Sequence, residues 1–388
     1  MKKKQLILAL LVFCCSAAMV SAGGGSDRGS ASEQKDYLSM TWDQIVAEAK
    51  AEGSLVFYTW WGEEHWIEAG REFEQQYGIK TTIVVGDAAA NANKVIAEGK
   101  QQAGTIDAIM IGGDYLKPIM DLGLFYTPIT RVMPNIGKLD PKLLEYVEGI
   151  KNNGELIPLY RNQTGILYNP ARVPNPPQTW DQLITWIKAN PKRFGFNDPS
   201  KGGSGQSFIQ SAIGELTGGL DQYRGDLEAV SSKMTSWNTV WDWMNSMEEY
   251  WTYTVSNNDS ISRLNDGEFW MTIAWDDDTQ LALKKGSLFK ESILYVPAFG
   301  LAGGGDCAGV LKNARHKAAG LLFLHFLTEQ DQQLKMNERI GSYLARTDLT
   351  SSVQLLPETQ RQENGVPWIP APYKREFIDQ FVKNVLMK

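Results

Sequence analysis

The segment GSLVFYTWWG, residues 53–62, decides the fold class that we predict for this chain. It contains an apolar run typical of a buried strand, followed by two tryptophans and a glycine. Upstream, the pattern that begins at Thr41 predicts an N-capped helix that stops at Gly53. A helix that leads directly into a short buried strand is typical of an α/β sheet.

The following residues continue this alternation of helix and strand. The spacing of apolar residues predicts helices over 65–77 and 91–103, and strands over 80–85 and 107–111. The β-α-β-α-β order indicates a parallel, doubly wound sheet with right-handed crossovers. In such sheets the ligand site lies beyond the carboxyl ends of the strands, so we expect binding loops at 59–64, 86–90 and 112–115.

The length and composition indicate more than one globular unit and an acidic surface. A chain of 388 residues suits two lobes, and similar helix and strand signals recur from about residue 164 onward. The net charge of -7 argues against a nucleic-acid partner, which needs a basic face. The 13 Trp, 14 Tyr and 14 Phe exceed what the core needs, which favours aromatic ligand contacts.

The first residues predict export. A basic start at 2–4, an apolar run over 6–20 and the small residues of 20–22 are typical of a signal peptide over 1–22. A Gly/Ser-rich flexible linker over 23–35 follows. We therefore expect a periplasmic protein. Cys14 and Cys15 leave a lipid anchor open, although Phe13 does not suit a lipobox, and cleavage would leave Cys307 as the only cysteine.

Four segments together carry a family resemblance. They are residues 53–62, the stretch IPLYRNQTGILYN at 157–169, PPQTWDQL at 176–183, and GVLKNA at 309–314 with the apolar helix that follows. In order and spacing they resemble the extracellular solute-binding proteins of bacterial ABC importers, a group with maltose-, polyamine-, thiamine- and iron-binding members. The resemblance implies the type II periplasmic-binding-protein fold, with two doubly wound α/β lobes joined by crossing hinge strands.

The resemblance also implies a division of the chain and a mechanism. Lobe one would comprise 36–161 plus 276–341, and lobe two 162–275 plus 342–388. The crossings would lie near 161–165, 275–278 and 341–343, and the C-terminal helix of 373–386 would pack on lobe two. The lobes would close on one small solute, and an inner-membrane permease would detect the closed form. We expect a monomer that has no cofactor or metal ion and catalyses no reaction.

Trp60 and Trp61 are the first candidate ligand contacts. They follow the first strand, where their indole faces can stack on a sugar ring or hold an organic cation. The alternative is that one packs in the core and the other covers the lobe surface.

Trp275, Asp276 and Asp277 follow a predicted strand at the expected return crossing. Carboxylates in a cleft would attract ammonium groups or accept hydrogen bonds from sugar hydroxyls. Alternatively, they stabilise the positive end of a helix that Gly286 terminates, and both interpretations can hold together.

The crossover supplies Arg161, Asn162 and Thr164 as further candidates. The guanidinium would bind an anion or pair with Asp276 or Asp277 across the hinge, and the two polar side chains would bind hydroxyls. The other candidates are polar or small residues at predicted helix starts, Ser204, Gln206, Gly113 and Asp114, together with Tyr343, which the resemblance places at the third crossing.

Enzyme motifs are scarce: the sequence contains no P-loop, GxSxG or HExxH pattern. The alternative function that we keep is a secreted hydrolase in which Glu63 or Glu64 faces Asp276 across an open cleft. For a solute receptor, aromatic residues with carboxylates favour a polyamine or a thiamine-like cation, and a sugar is the close second. An acidic cleft would favour the cation, a balanced one the sugar, and an unpaired Arg161 an anion.

Overall fold

The structure is a computed structural model that describes residues 35–351 and 353–388, without the side chains of Gly113 and Asp114. The predicted signal peptide, Cys14, Cys15 and all but the last residue of the predicted linker lie outside the described residues. None of the helices in the described part is long and apolar enough to cross a membrane.

Helices account for most of the regular structure. The α-helices are α1 Trp42–Glu52, α2 Glu63–Tyr77, α3 Ala88–Glu98, α4 Gly113–Asp121, α5 Pro141–Glu145, α6 Trp180–Ala189, α7 Gly203–Thr217, α8 Trp237–Ser246, α9 Asn257–Asn265, α10 Asp276–Lys285, α11 Lys317–Leu327, α12 Gln330–Ile340, α13 Glu358–Asn364 and α14 Ala371–Phe381. Short 3₁₀ turns cover Tyr37–Ser39, Ile129–Arg131, Ile136–Lys138, Asp221–Tyr223 and Ser231–Met234, and a π-helical turn covers Val382–Leu386.

The strands are shorter and form two main sheets and a hairpin. They are β1 Ser54–Thr59, β2 Lys80–Val85, β3 Ala108–Ile111, β4 Tyr146–Val147, β5 Ile150–Lys151, β6 Ile157–Pro158, β7 Tyr160–Tyr168, β8 Phe194–Asn197, β9 Trp251–Thr254, β10 Met271–Trp275, β11 Ile293–Tyr295, β12 Leu301–Gly304, β13 Cys307–Val310, β14 Tyr343–Leu344 and β15 Gly365–Pro367.

Local signals place the first helices and strands where the sequence predicts them. Thr41 caps α1 in a reciprocal capping box with Gln44, and Gly53 ends the helix in the left-handed conformation. The helix predicted over 91–103 instead begins at Ala88, because the Asp87 side chain accepts a hydrogen bond from the backbone N–H of Ala90.

The first sheet has the strand order β2-β1-β3-β13-β6. Strands β1, β2 and β3 are parallel, with Phe57 opposite both Ile83 and Ala108, so the predicted doubly wound arrangement is confirmed. Strand β13 returns antiparallel to β3. Because β1 to β3 are parallel, the loops after Thr59, Val85 and Ile111 lie at the same edge.

The second sheet has the order β15-β12-β7-β10-β8-β9, and β11 and β14 also pair with β7. Strands β8, β9 and β10 are parallel, so the residues after Asn197, Thr254 and Trp275 lie at one edge. Strand β7 begins beside the first lobe and ends inside the second, and it is the first crossing strand.

Two large hydrophobic clusters form the cores of the lobes. The first contains apolar residues between positions 37 and 160 and between 307 and 345, and the second contains those between 166 and 301 and between 355 and 385. Residues 288–301 therefore pack with the second lobe, whereas the sequence-based division assigned 276–341 to the first. The chain returns at 302–306, because α10 and β11 remain in contact with the second core.

A β-hairpin of lobe one contacts lobe two. In the turn between β4 and β5, Glu148 and Gly149 have left-handed φ values of 46° and 77°. The Glu148 carboxylate pairs with the Lys374 ammonium of α14 at 3.0 Å. A Cβ on Gly149 would lie 2.2 Å from the carbonyl oxygen of Ile369, so only glycine allows this approach.

We predict that Gly149→Ala destabilises the protein by more than about 3 kcal/mol, because the methyl group adds a backbone clash to the left-handed strain. Gly78→Ala is the matched control, since Gly78 also has a left-handed φ of 70° but open space around its Cβ position. The control should lose about 1 kcal/mol. Urea unfolding measures both, and equal losses would contradict the close packing at Gly149.

Candidate functional site

Trp60 is an exposed aromatic side chain at the carboxyl edge of the first sheet. It follows β1 directly, and 38% of its surface is exposed. Its ring lies against Gly112, where a Cβ would be 3.7 Å from the indole. Tyr115, in the first turn of α4 at the same edge, is 40% exposed. An exposed aromatic group here is consistent with a ligand platform.

A buried carboxylate lies behind Trp60. The indole Nε1–H of Trp60 donates to Oδ2 of Asp306 at 3.2 Å, and the hydroxyl of Tyr160 donates to the same oxygen. Trp61 donates its own indole N–H to the Tyr160 hydroxyl at 2.7 Å and packs edge-on against that ring. Trp61 is therefore part of the support, whereas Trp60 faces outward.

Burial and the neighbouring Glu148 carboxylate raise the pKa of Asp306 from 3.8 to about 6, against the opposing effect of its hydrogen bonds. Glu148 is paired with Lys374, whose ammonium also lies 4.2 Å from the ring centre of Trp368. Among the residues that the structure describes, no hydrogen-bond partner reaches the buried indole N–H of Trp368. Asp306, Glu148 and Lys374 thus link the carboxyl edge of the first sheet, at Trp60, to lobe two.

We predict that the free energy of unfolding falls less with rising pH in Asp306→Asn than in the wild type. Because the folded pKa of Asp306 lies above its unfolded value, the wild type loses stability as pH rises from about 4 to about 6. This contribution is about 3 kcal/mol. Urea unfolding at pH 4 and pH 7.5 measures the change, and an identical pH dependence in wild type and variant would contradict it.

The corresponding edge of the second sheet is more polar, but its polar groups mostly form hydrogen bonds with one another. Ser204 is buried, and its hydroxyl donates to Asn197 and Asn257 at 3.1 and 2.8 Å. The Asn197 side chain also accepts a hydrogen bond from the backbone N–H of Gly205 at the start of α7. Gln206 is buried and donates to the carbonyl of Pro199. The backbone N–H groups of Ser204 and Gly205 at this helix start therefore donate to asparagine side chains.

Part of the seam between the lobes is filled by protein. Trp275, Ala302 and Trp368 form a third apolar cluster, and a Cβ on Gly203 would lie 2.8 Å from the Trp275 ring. Two cavities of about 450 and 420 Å³ lie elsewhere, one beside α6 and one beside β11. Trp275 is therefore held in a packed interface.

Asp276 holds the crossing strand instead of facing solvent. Its Oδ1 accepts hydrogen bonds from the backbone N–H groups of Gln163 and Asp277 at 2.9 and 3.0 Å, and its Oδ2 pairs with the Arg361 guanidinium. Asp277 is buried and accepts from Ser342 at 3.4 Å. Burial, with Asp278 and Asp276 nearby, raises the pKa of Asp277 well above its ordinary value.

Arg161 is paired, although not with the carboxylates proposed from the sequence. Its guanidinium lies 3.3 Å from Asp140 and 3.0 Å from Glu358. The Tyr343 ring is 4.4 Å from this guanidinium and 4.3 Å from that of Arg361. The structural interpretation of Arg161 as a hinge ion pair therefore fits, and Tyr343 is a buried part of the same cluster.

The remaining predicted residues lie in different environments. The Thr164 hydroxyl lies 2.6 Å from both Ser207 Oγ and the Ala302 carbonyl oxygen, deep between the strands. The Oδ1 of Asn162 is buried and accepts no hydrogen bond from residues 35–351 or 353–388. Gly113 and Asp114 begin α4, but their side chains lie outside the described residues.

Glu63 and Glu64 are exposed at the start of α2. Asp276, their expected partner in a hydrolase, is engaged with Arg361. The residues that sequence reasoning missed are Glu148, Tyr160, Asp306, Arg361, Trp368 and Lys374. They come from distant parts of the chain, and only the folded arrangement brings them together.

We predict that Arg361→Gln lowers the free energy of unfolding by about 3 kcal/mol, because it leaves the buried Asp276 carboxylate without its cation. The Arg361 and Asp276 side chains are 8% and 3% exposed. Lys388→Gln is the control, because the Lys388–Glu248 pair is 40% and 60% exposed and should contribute less than about 1 kcal/mol. Equal effects in urea unfolding would contradict a buried pair.

The chain is similar to known solute-binding proteins. Residues 68–364 match the family model described as bacterial extracellular solute-binding protein. Protein YnjB of Escherichia coli (strain K12) is 24% identical over 315 residues, which cover 76% of this chain and 79% of YnjB.

Solved structures share the fold. An extracellular solute-binding protein from Bordetella parapertussis has a TM-score of 0.67 at 15% identity, over 86% of this chain and 99% of its own. The spermidine/putrescine ABC transporter substrate-binding protein PotD from Streptococcus pneumoniae strain Canada MDR_19A has a TM-score of 0.64 at 16% identity, over 86% and 98%. These likenesses confirm the predicted fold of two α/β lobes.

Proposed function

The chain belongs to the bacterial extracellular solute-binding protein family, and from this premise we propose that it captures one small polar solute at the seam between its lobes. It is exported to the periplasm, with or without a lipid anchor, and works as a monomer. It delivers the solute to the permease of an ABC importer in the inner membrane and catalyses no reaction.

Trp60 is the observation that carries this proposal. A large apolar ring that stays 38% exposed at the edge of a sheet normally costs free energy, and here a hydrogen bond also restrains it. A ligand that stacks on the indole would explain why Trp60 is both exposed and held by a hydrogen bond.

Binding requires the seam to open. Trp275 and Trp368 are 8% and 5% exposed, so a solute reaches them only after the lobes separate. The charged pairs that cross the seam, including Glu148–Lys374, break or rearrange when this happens. We propose that opening and closing occur about the crossing segments at 161–165 and 302–306.

The charge balance at the seam favours an organic cation of the polyamine or thiamine-like class. Carboxyl groups outnumber basic groups around the crossing segments: Asp140, Glu148, Asp276, Asp277, Asp306 and Glu358 accompany Arg161, Arg361 and Lys374. Arg161 is paired on two sides, which argues against an anionic solute. The exposed indole adds a face on which a cation binds through the ring quadrupole.

A sugar is the second candidate, and the polar edge of lobe two favours it. A hydrogen-bonded group there consists of Asn197, Ser204 and Asn257. The Nδ2 of Asn197 is buried and has no acceptor in the described part of the chain. Such amide and hydroxyl groups suit sugar hydroxyls, while Trp60 would stack on the ring.

Native mass spectrometry of protein purified without dialysis tests for a retained small molecule. A thermal-shift screen with spermidine, thiamine and maltose then separates the classes, since a solute at 100 times its dissociation constant adds about 2.7 kcal/mol. Stabilisation by spermidine or thiamine alone would support the cation, and stabilisation by maltose alone would replace it with the sugar.

We predict that Trp60→Ala weakens binding of the solute found in that screen about 10-fold, through loss of the indole face, and leaves the unfolding temperature nearly unchanged. Trp186→Ala is the control, because Trp186 packs on Trp270 in the outer part of lobe two. Isothermal titration measures both variants. Unchanged affinity in Trp60→Ala would remove Trp60 from the site.

A further inference from the structure

We propose that Asp306 is a positioning residue that fixes the indole of Trp60 in its solute-binding orientation. The inference rests on the proposed function for its purpose, because the solute would contact Trp60 and not Asp306. The positioning itself is a property of the ligand-free protein and is tested separately.

The geometry places one carboxylate oxygen between two parts of lobe one. Oδ2 of Asp306 accepts from Trp60 Nε1 at 3.2 Å and from the Tyr160 hydroxyl. Tyr160 in turn accepts from Trp61 Nε1 at 2.7 Å, and the Trp60 and Trp61 rings are 6.2 Å apart. Both tryptophans of the loop after β1 are thereby anchored to the return crossing at 302–306.

The cost of this arrangement argues for a role beyond packing. Asp306 is 5% exposed, and among the residues that the structure describes it has no ion pair. A buried carboxylate without a cation is unfavourable, and a neutral side chain would fill the space at lower cost. The arrangement provides a charged acceptor that restrains an indole at an exposed edge of the sheet.

The groups around Asp306 define how it titrates. Glu148 from the β4–β5 turn and Cys307 of β13 lie nearby, and Asp277 of α10 acts on Tyr160. Lys374 of α14 pairs with Glu148 at 3.0 Å. Burial and Glu148 raise the pKa of Asp306, and the hydrogen bonds from Tyr160 and Trp60 lower it.

This arrangement makes Trp60 sensitive to the charge of Asp306. When Asp306 is ionised, its hydrogen bond from the indole is charge-assisted and holds the ring. When Asp306 is protonated, that bond weakens and the ring gains freedom. Since the pKa of Asp306 is about 6, the change falls between pH 5 and pH 7.5.

Fluorine NMR of the ligand-free full chain with 5-fluorotryptophan tests the proposal directly. The Trp60 resonance is identified by its absence in Trp60→Phe, and the Trp186 resonance, identified in the same way, is the control. We expect the Trp60 resonance to shift with a midpoint near pH 6 in the wild type. The Trp186 resonance should show no such transition, and the Trp60 transition should vanish in Asp306→Asn.

Two further variants test the direction of the effect and do not depend on Asp306→Asn folding. Tyr160→Phe removes a donor that favours the ionised carboxylate, so the midpoint should rise. Glu148→Gln removes a neighbouring negative charge, so the midpoint should fall. A Trp60 resonance that does not titrate in the wild type, or midpoints that stay unchanged in both variants, would overturn the proposal.

Titration with thiamine separates this proposal from the proposed function. We expect binding about 5-fold weaker at pH 5 than at pH 7.5 in the wild type, and equal at both values in Asp306→Asn. Absence of thiamine binding would contradict the thiamine-like class while the NMR result still decides the positioning role. Equal pH dependence of binding in wild type and variant would contradict positioning even if thiamine binds.

Discussion

The backbone of the crossing strand β7 is the constraint on which the rest of the structure depends. A strand that leaves one lobe and enters another carries N–H and C=O groups along its whole length, and each buried group needs a partner. Strand β7 finds them in β14 near Arg161, in β12 near Gln163, and in β10 and β11 toward Tyr168. The second and third connections between the lobes therefore lie beside the first.

This requirement explains why many polar residues near the seam serve the protein itself. Asp276 accepts from the backbone of Gln163, and the Thr164 hydroxyl contacts the Ala302 carbonyl. Glycine is needed at 305 because a Cβ there would lie 1.9 Å from the carbonyl oxygen of Tyr160 in β7. Residues that resemble ligand contacts in the sequence thus hold the crossing strands together, and Trp60 remains outward-facing.

The predictions that the structure confirms rest on local sequence patterns. Thr41 and Gly53 determine the two ends of α1 through interactions within a few residues. The alternation of helices and strands that follows determines the first parallel sheet. Trp60 was predictable as an exposed residue because loops after parallel strands meet at one edge.

The site partners were not predictable, because they are remote in the chain. Trp60 and Asp306 are 246 positions apart, and Asp276 and Arg361 are 85 apart. The backbone N–H of Ser204 at the start of α7 also meets a remote partner, because it donates to Asn257, 53 positions away. No local pattern predicts that α10 and β11 pack on the second core. Because they do, the return crossing lies at 302–306.

A crystal structure of protein purified without dialysis, or soaked with the solute identified by mass spectrometry, is the most direct measurement of the central claim. The account predicts electron density for one small molecule between the lobes, in contact with the Trp60 indole, with Asp306 still bonded to Nε1. Density for the solute outside the seam, or a solute between the lobes with Trp60 turned away from it, would contradict the account.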